Sequence, residues 1–323
     1  MQVHLQLRQF NAIARLTAAE TIRHPVSLML ILACVMAAAI APLMSANDLG
    51  EPGRLARDSA LAMHLLCGLF IAGYAACASF RRELQTGILS TILSKSVSRE
   101  LFFLAKFCGV AIVIITFSYC AGAAALLGQR VTPSFFRVDL LAARLAVAAP
   151  MLALLGAAIG NFVTRRPFAA LAIRYLALAL TTAVIIIGFW NRQGEMVRFG
   201  ADVEWRILPA SLLITLALFI LASLSLTLAI KLGTAPVIVI TTLFLAGGLL
   251  SQHLFRSWTS LTVLADLLRG FLPDWQRLWA ADLLANEARI GAGYIAYASL
   301  YTFAYLVAIL AAGVSLFRRA EMS

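Results

Sequence analysis

One polar, charged run, RRELQTGILSTILSKSVSRELFFLAK, from Arg81 to Lys106, stands between two apolar stretches. Arg81, Arg82 and Glu83 open it, and Lys95, Arg99 and Glu100 stand near its end. Between them Leu84, Ile88 and Ile92 recur every four residues, with Leu89 and Leu93 alongside, while Gln85, Thr86, Ser90 and Ser94 take the other face. This spacing predicts a short amphipathic helix. Such a helix either rests on lipid headgroups or docks a cytoplasmic partner, and the periodicity leaves both open. Ser98 and its neighbours can start the next helix, with Glu100 near the positive end of that helix. No Ser/His/Asp or Cys/His constellation pairs a nucleophile with a base, so no enzyme activity is expected. No Walker A glycine loop occurs, and the chain does not bind ATP by that route. The five cysteines all fall inside apolar runs and match no zinc or redox spacing. They read as small buried hydrophobes. The four histidines are scattered, so no metal site is expected.

The elements that must position this run are greasy. Of 323 residues, 62% are hydrophobic and only 13% charged, and the mean hydropathy is +0.91. Soluble domains carry about 45–50% apolar and about 25% charged residues, so the surplus must face lipid or other buried helices. The apolar runs are continuous, which excludes the alternating pattern of a membrane β-barrel. A bilayer core takes about 20 apolar residues per helix. Candidate spans are Pro25–Met44, Ala60–Phe80, Phe102–Leu127, Leu140–Val163, Pro167–Phe189, Ile207–Ile230, Ala235–Ser251 and Gly291–Phe317. The expected fold class is therefore all-α, polytopic, with about eight transmembrane helices. Ile31-Leu32-Ala33-Cys34 looks like a lipoprotein cleavage box, yet the apolar run continues to Met44 as a retained span does.

The net charge of +11 would suggest nucleic acid in a soluble protein, but its distribution is a topology signal. With the N-terminus in the cytoplasm, the inner pieces carry all three lysines and a large basic excess, and the outer pieces roughly balance. Both termini then lie inside, and anionic headgroups are attracted to that face. Residues 1–24 read as a cytoplasmic interfacial helix: Leu7, Phe10, Ala14 and Ala18 line one face, and Arg8, Arg15 and Arg23 another. Pro25 ends it and opens the transmembrane body, residues 25–323. The longest outer loop, 253–290, is expected to hold two short helices. These are amphipathic Trp258–Phe271 and a second one capped by Asp274, with Trp258, Trp275 and Trp279 at the membrane interface.

The run from Arg81 resembles the intracellular motif of the ATP-binding-cassette type 2 permeases. In that family a Glu is followed four residues on by Gly, then a leucine-rich stretch, a Ser-Lys-Pro-Val-Ser-Arg-like turn, and a Lys at the start of the next span. Here Glu83, Gly87, Ile88–Leu93, Ser94-Lys95-Ser96-Val97-Ser98-Arg99 and Lys106 take those places, with Ser96 where the family has Pro. Phe271-Leu-Pro-Asp-Trp275, Ala281-Asp282-Leu283, Tyr294, Tyr301 and Phe317-Arg318-Arg319 resemble the family's last outer loop, final span and basic tail. Family members usually have six spans, so an extra pair is expected between Pro167 and Ser251. The branch associated with multicopper-enzyme maturation is the most similar.

The resemblance implies the membrane subunit of an ATP-driven exporter in a bacterial inner (cytoplasmic) membrane. Two such chains, alike or different, would pair with two separate ATPase chains. ATP and magnesium would bind the ATPase, and no cofactor would bind this chain. The 83–95 helix would be the coupling helix, with Arg82, Glu83, Gly87, Ser94, Lys95 and Arg99 its docking residues. Two other readings stay open. A non-transporting scaffold anchoring a cytoplasmic partner would share this pattern. An ion-coupled secondary carrier would need titratable groups at membrane depth, where these spans are poor in carboxylates. Two arginines lie within spans. Arg144, near Asp139, and Arg174 either snorkel to the interface or, for Arg174, face a dimer cavity and meet an anionic substrate. Gly156 and Gly160 form a GxxxG pair suited to close helix approach, and Asn161 is placed to hydrogen-bond between helices.

Overall fold

A computed structural model describes residues 2–44, 53–85, 98–132, 138–254, 273–281, 284 and 290–319. Among them are nine α-helices: α1 (Gln2–Arg23), α2 (Pro25–Met44), α3 (Arg54–Gln85), α4 (Arg99–Val131), α5 (Leu140–Thr164), α6 (Phe168–Phe189), α7 (Ile207–Ala229), α8 (Thr234–Leu254) and α9 (Ala292–Arg319). Seven, α2 to α7 and α9, are long and apolar enough to cross a membrane. The apolar part of α8, Thr234–Leu250, is shorter. Hydropathy placed α2 to α9, of which seven rather than the expected eight are long and apolar enough to cross, and the spacing of its two faces placed α1. The main differences lie in α3 and α4, which extend several residues beyond their apolar stretches into polar sequence.

The fold is organised around α4, which packs against α1, α2, α3, α5, α6, α7 and α9. Its sequence explains this. Glycine, alanine and serine alternate with Phe, Val and Ile, so the helix has no polar face, and most of it is buried while Leu104, Ile112, Ile115 and Tyr119 stay exposed. Small residues set the closest approaches, as lipid-facing bundles require, because packing and not hydrophobic exclusion holds such helices together. At Gly128 an added Cβ would fall 2.3 Å from the Ala38 carbonyl oxygen, so α2 and α4 touch backbone to backbone. At Gly109 it would fall 2.6 Å from Thr17 Cβ and 2.7 Å from the Ala14 carbonyl oxygen. Helix α1 is therefore seated in a groove of α4, its Ala14, Thr17, Ala18 and Thr21 buried, while Arg8, Arg15 and Arg23 point away from the bundle. Leu7, placed on the apolar face by its spacing, is exposed. The chain breaks at His24, where Ser27 Oγ donates to the Thr21 carbonyl at 2.8 Å, and Pro25 starts α2.

Helices α5 and α6 form a hairpin. Gly156 and Gly160 face Tyr175 of α6, whose ring lies 3.3 Å from where a Cβ on Gly156 would stand, so the GxxxG pair packs within the chain. Asn161 does not bridge helices. Its Nδ2 donates to the Arg166 carbonyl at 2.6 Å and closes the turn into α6. Arg165, with φ of 51°, holds the left-handed position that ends α5.

In the loop before α9, a single 3-10 turn, Trp275–Arg277, is capped by Asp274 Oδ1, which accepts from Gln276 N at 3.2 Å. Trp275, expected at the membrane interface, is turned into the protein. It is buried against Gly248 of α8 and edge-on to Phe244 at 6.0 Å, because Gly248 leaves the space for its indole. The expected helix Trp258–Phe271 lies outside the described residues.

Candidate functional site

The described ends of the charged run singled out above belong to α3 and α4. Arg82 and Glu83 belong to the last turn of α3, which continues unbroken to Gln85. Gly87, Ser94 and Lys95 lie outside the described residues. At the far side Ser98 caps α4 as its sequence predicts, its Oγ accepting from Leu101 N at 3.3 Å, with Glu100 in the first turn.

What holds these two helix ends together is a joint that the spacing of charges does not announce. Phe80 of α3, Phe102 and Phe103 of α4 and Phe317 of α9 pack as one aromatic cluster, with centroids 5.7 to 6.4 Å apart. Phe80, Phe102 and Phe103 are fully buried. Gly313, one turn before Phe317, lets α9 close on Phe103: a Cβ there would stand 2.5 Å from its ring. Lys106 is buried one turn further in. Its Nζ donates to the Ser79 carbonyl at 3.0 Å and lies 5.4 Å from the Phe102 ring centroid. A buried ammonium is costly in such a place, so the α3 carbonyl and the ring face fix α4 to α3. At the rim Arg99 donates to the Arg318 carbonyl at 2.8 Å, and Arg318 pairs with Glu100. Exposed ion pairs contribute only about 0–1 kcal/mol, whereas ring pairs are worth about 0.5–1.5 kcal/mol each beyond their burial. The phenylalanines therefore make the joint rigid, and the charges orient it.

No family model, curated protein or solved structure matches the sequence. Its own helices decide the broad class. The chain is an integral, multi-pass helical membrane protein.

The opposite end of the bundle carries a second ionic assembly, built on residues that sequence reading passed over. Arg130, at the end of α4, is 2% exposed in its side chain, and its partner Asp139 is 4% exposed. Arg130 Nε donates to Asp139 Oδ2 at 2.8 Å, and its two terminal nitrogens donate to the carbonyls of Asp202 and Trp190, each at 2.7 Å. Asp139 also caps α5, accepting from Ala142 N at 3.0 Å. Arg192 donates to the Thr132 carbonyl at 2.9 Å. Burial pulls the Arg192 guanidinium below its ordinary value, and the nearby Arg130 charge adds to that, against Asp139 and Asp202. The 190–206 connection closes over this end: Val197 N donates to the Phe189 carbonyl, Gly200 N donates to the Gly188 carbonyl, and Phe199 packs on Phe189 and Trp205. Asp139, read beside Arg144 in the sequence, pairs instead with Arg130, nine residues before it. The only local hint was two opposite charges flanking a short break between apolar runs.

Arg144 and Arg174 are both exposed on the outer surfaces of α5 and α6. No described side chain pairs with either. On the flank of the bundle, the long Arg174 side chain can reach a headgroup region.

Proposed function

We propose that this chain is the membrane subunit of an ATP-driven exporter, moved by a separate ATPase through the 83–95 segment. The observation that carries the reading is the Phe80–Phe102–Phe103–Phe317 joint beneath that segment. A lever transmits force only if its base does not yield. Here both stems of the lever are packed against each other and against the terminal helix, so a push on it turns α3, α4 and α9 as a body. Through α4 that motion reaches nearly every other helix. The resemblance to type 2 permeases supports the same reading from the residues themselves: Glu83, Gly87, Ser94 and Lys95 face the partner, while Arg99 is engaged by Arg318 and serves the joint. In this reading the partners are two ATPase chains carrying ATP and magnesium and a second membrane subunit, and the segment and both termini are cytoplasmic. Arg174, on the flank, takes no part in coupling.

The test is purification in mild detergent. An ATPase bearing a Walker A loop is expected to co-purify with the wild-type chain, and the charge reversals Glu83→Lys and Lys95→Glu together release it. An ATPase that stays bound after both reversals would sink the docking assignment. ATP turnover that never depends on this chain would replace the exporter with a scaffold.

A further inference from the structure

Between α4, α6 and α7, in the half of the bundle nearer Arg130, lies a cavity of about 510 Å³, within the roughly 300–1,000 Å³ of small-molecule sites. Its wall is mostly apolar, but Ser118, Tyr119, Thr181, Ser211 and Thr215 present hydroxyls to it, and Trp205 closes one end. Among the described residues that line it, none is an acid, a lysine or an arginine. Tyr119 and Leu212 at its rim are each about half exposed, and both stand within spans, so its mouth opens sideways toward lipid.

Two of those hydroxyls are held from behind. His64 of α3 is buried, and its Nε2 lies 2.9 Å from Ser118 Oγ and its Nδ1 3.3 Å from Ser211 Oγ. The Phe117 ring fixes the imidazole edge-on at 5.3 Å. Gly122 leaves room for Ser211, whose Oγ would be only 3.0 Å from a Cβ there. A neutral imidazole carries one donor and one acceptor. It therefore donates to one serine and accepts from the other. The serine that accepts keeps its own O–H for a ligand. The serine that donates keeps its lone pairs for a ligand. The cavity wall thus carries a donor at one serine and an acceptor at the other, on opposite sides of the imidazole, and a ligand hydroxyl can bond to either.

We infer that this cavity is a binding site for a neutral, largely apolar amphiphile bearing a hydroxyl group, entering from the membrane. Absence of charged lining excludes an anionic head, since a carboxylate or phosphate would be buried without a counter-ion. The inference stands whether or not an ATPase drives the chain.

The test uses the full chain in phosphatidylcholine vesicles with diazirine derivatives of 1-hexadecanol, hexadecane and palmitic acid, and cross-linked residues are located by mass spectrometry. The alcohol is expected to label the cavity wall. Ser118→Ala combined with Ser211→Ala should lower that labelling about five- to tenfold, the loss of one hydrogen bond. Leu212→Trp, which fills the mouth and leaves the His64 network untouched, should abolish it. Equal labelling by hexadecane, stronger labelling by palmitate, or labelling indifferent to Leu212→Trp would overturn the assignment. So would disulfide dimers of a Leu212→Cys variant, which would mean that a second copy covers the mouth.

Discussion

Arg130 concentrates more structure in one side chain than any other described residue. It satisfies Asp139 and two backbone carbonyls from the 190–206 connection, all in a buried place. Removing one member of such a pair leaves the other charge without compensation, which costs about 3–5 kcal/mol. Arg130→Ala is therefore expected to lower the thermal unfolding temperature in detergent sharply. The double variant with Asp139→Ala should recover part of the loss, since it removes the stranded carboxylate, although the α5 cap is gone. An unchanged unfolding temperature for Arg130→Ala would show that the assembly holds nothing. The sequence carried little sign of this residue. Its main acidic partner is nine positions away, but its other acceptors are main-chain oxygens 60 and 72 positions on, and main-chain acceptors leave no trace in residue type. His64 was illegible for a like reason: its serines sit 54 and 147 positions away, each in an apolar run where a lone hydroxyl looks incidental. Ser98 was legible, because a cap and its acceptor lie within one turn.

At the scale of elements, glycine decides how close the helices come. Gly109 lets α1 lie on α4, and the nearest atoms to an added methyl are Thr17 Cβ and a main-chain oxygen, neither of which can swing aside. Gly109→Ala is expected to lift α1 from its groove at a cost of about 1–3 kcal/mol, read as faster amide exchange along α1. Gly247 of α8 is the control, since nothing lies within 4 Å of its added Cβ. Gly247→Ala should leave exchange in α1 unaltered and stabilise α8 by up to about 1 kcal/mol. Slow exchange in α1 for both variants would remove the docking. Hydropathy located the helices because each must hide its main chain from lipid within one segment. It said nothing of which helix sits at the centre. The seat of α1 was half legible: the small residues Ala14 and Ala18 and the arginine stripe marked two faces, but the groove that receives the first lies on another helix, ninety residues on.

At the scale of the molecule, the two ends of the bundle are built differently. One end is a buried ionic lock under a folded connection. The other is an aromatic joint of Phe80, Phe102, Phe103 and Phe317 at the facing ends of α3 and α4. A bundle pinned at one end and driven at the other rocks about the pinned end, and that is the motion the exporter reading requires. The central claim is that the 83–95 segment lies in the cytoplasm within reach of a partner. The most direct measurement is sidedness of labelling at Ser94→Cys by a membrane-impermeant maleimide, with the five native cysteines replaced. The account predicts reaction in inverted inner-membrane vesicles and none in intact spheroplasts. Reaction from the outside, or none from either side until the membrane is dissolved, would contradict it.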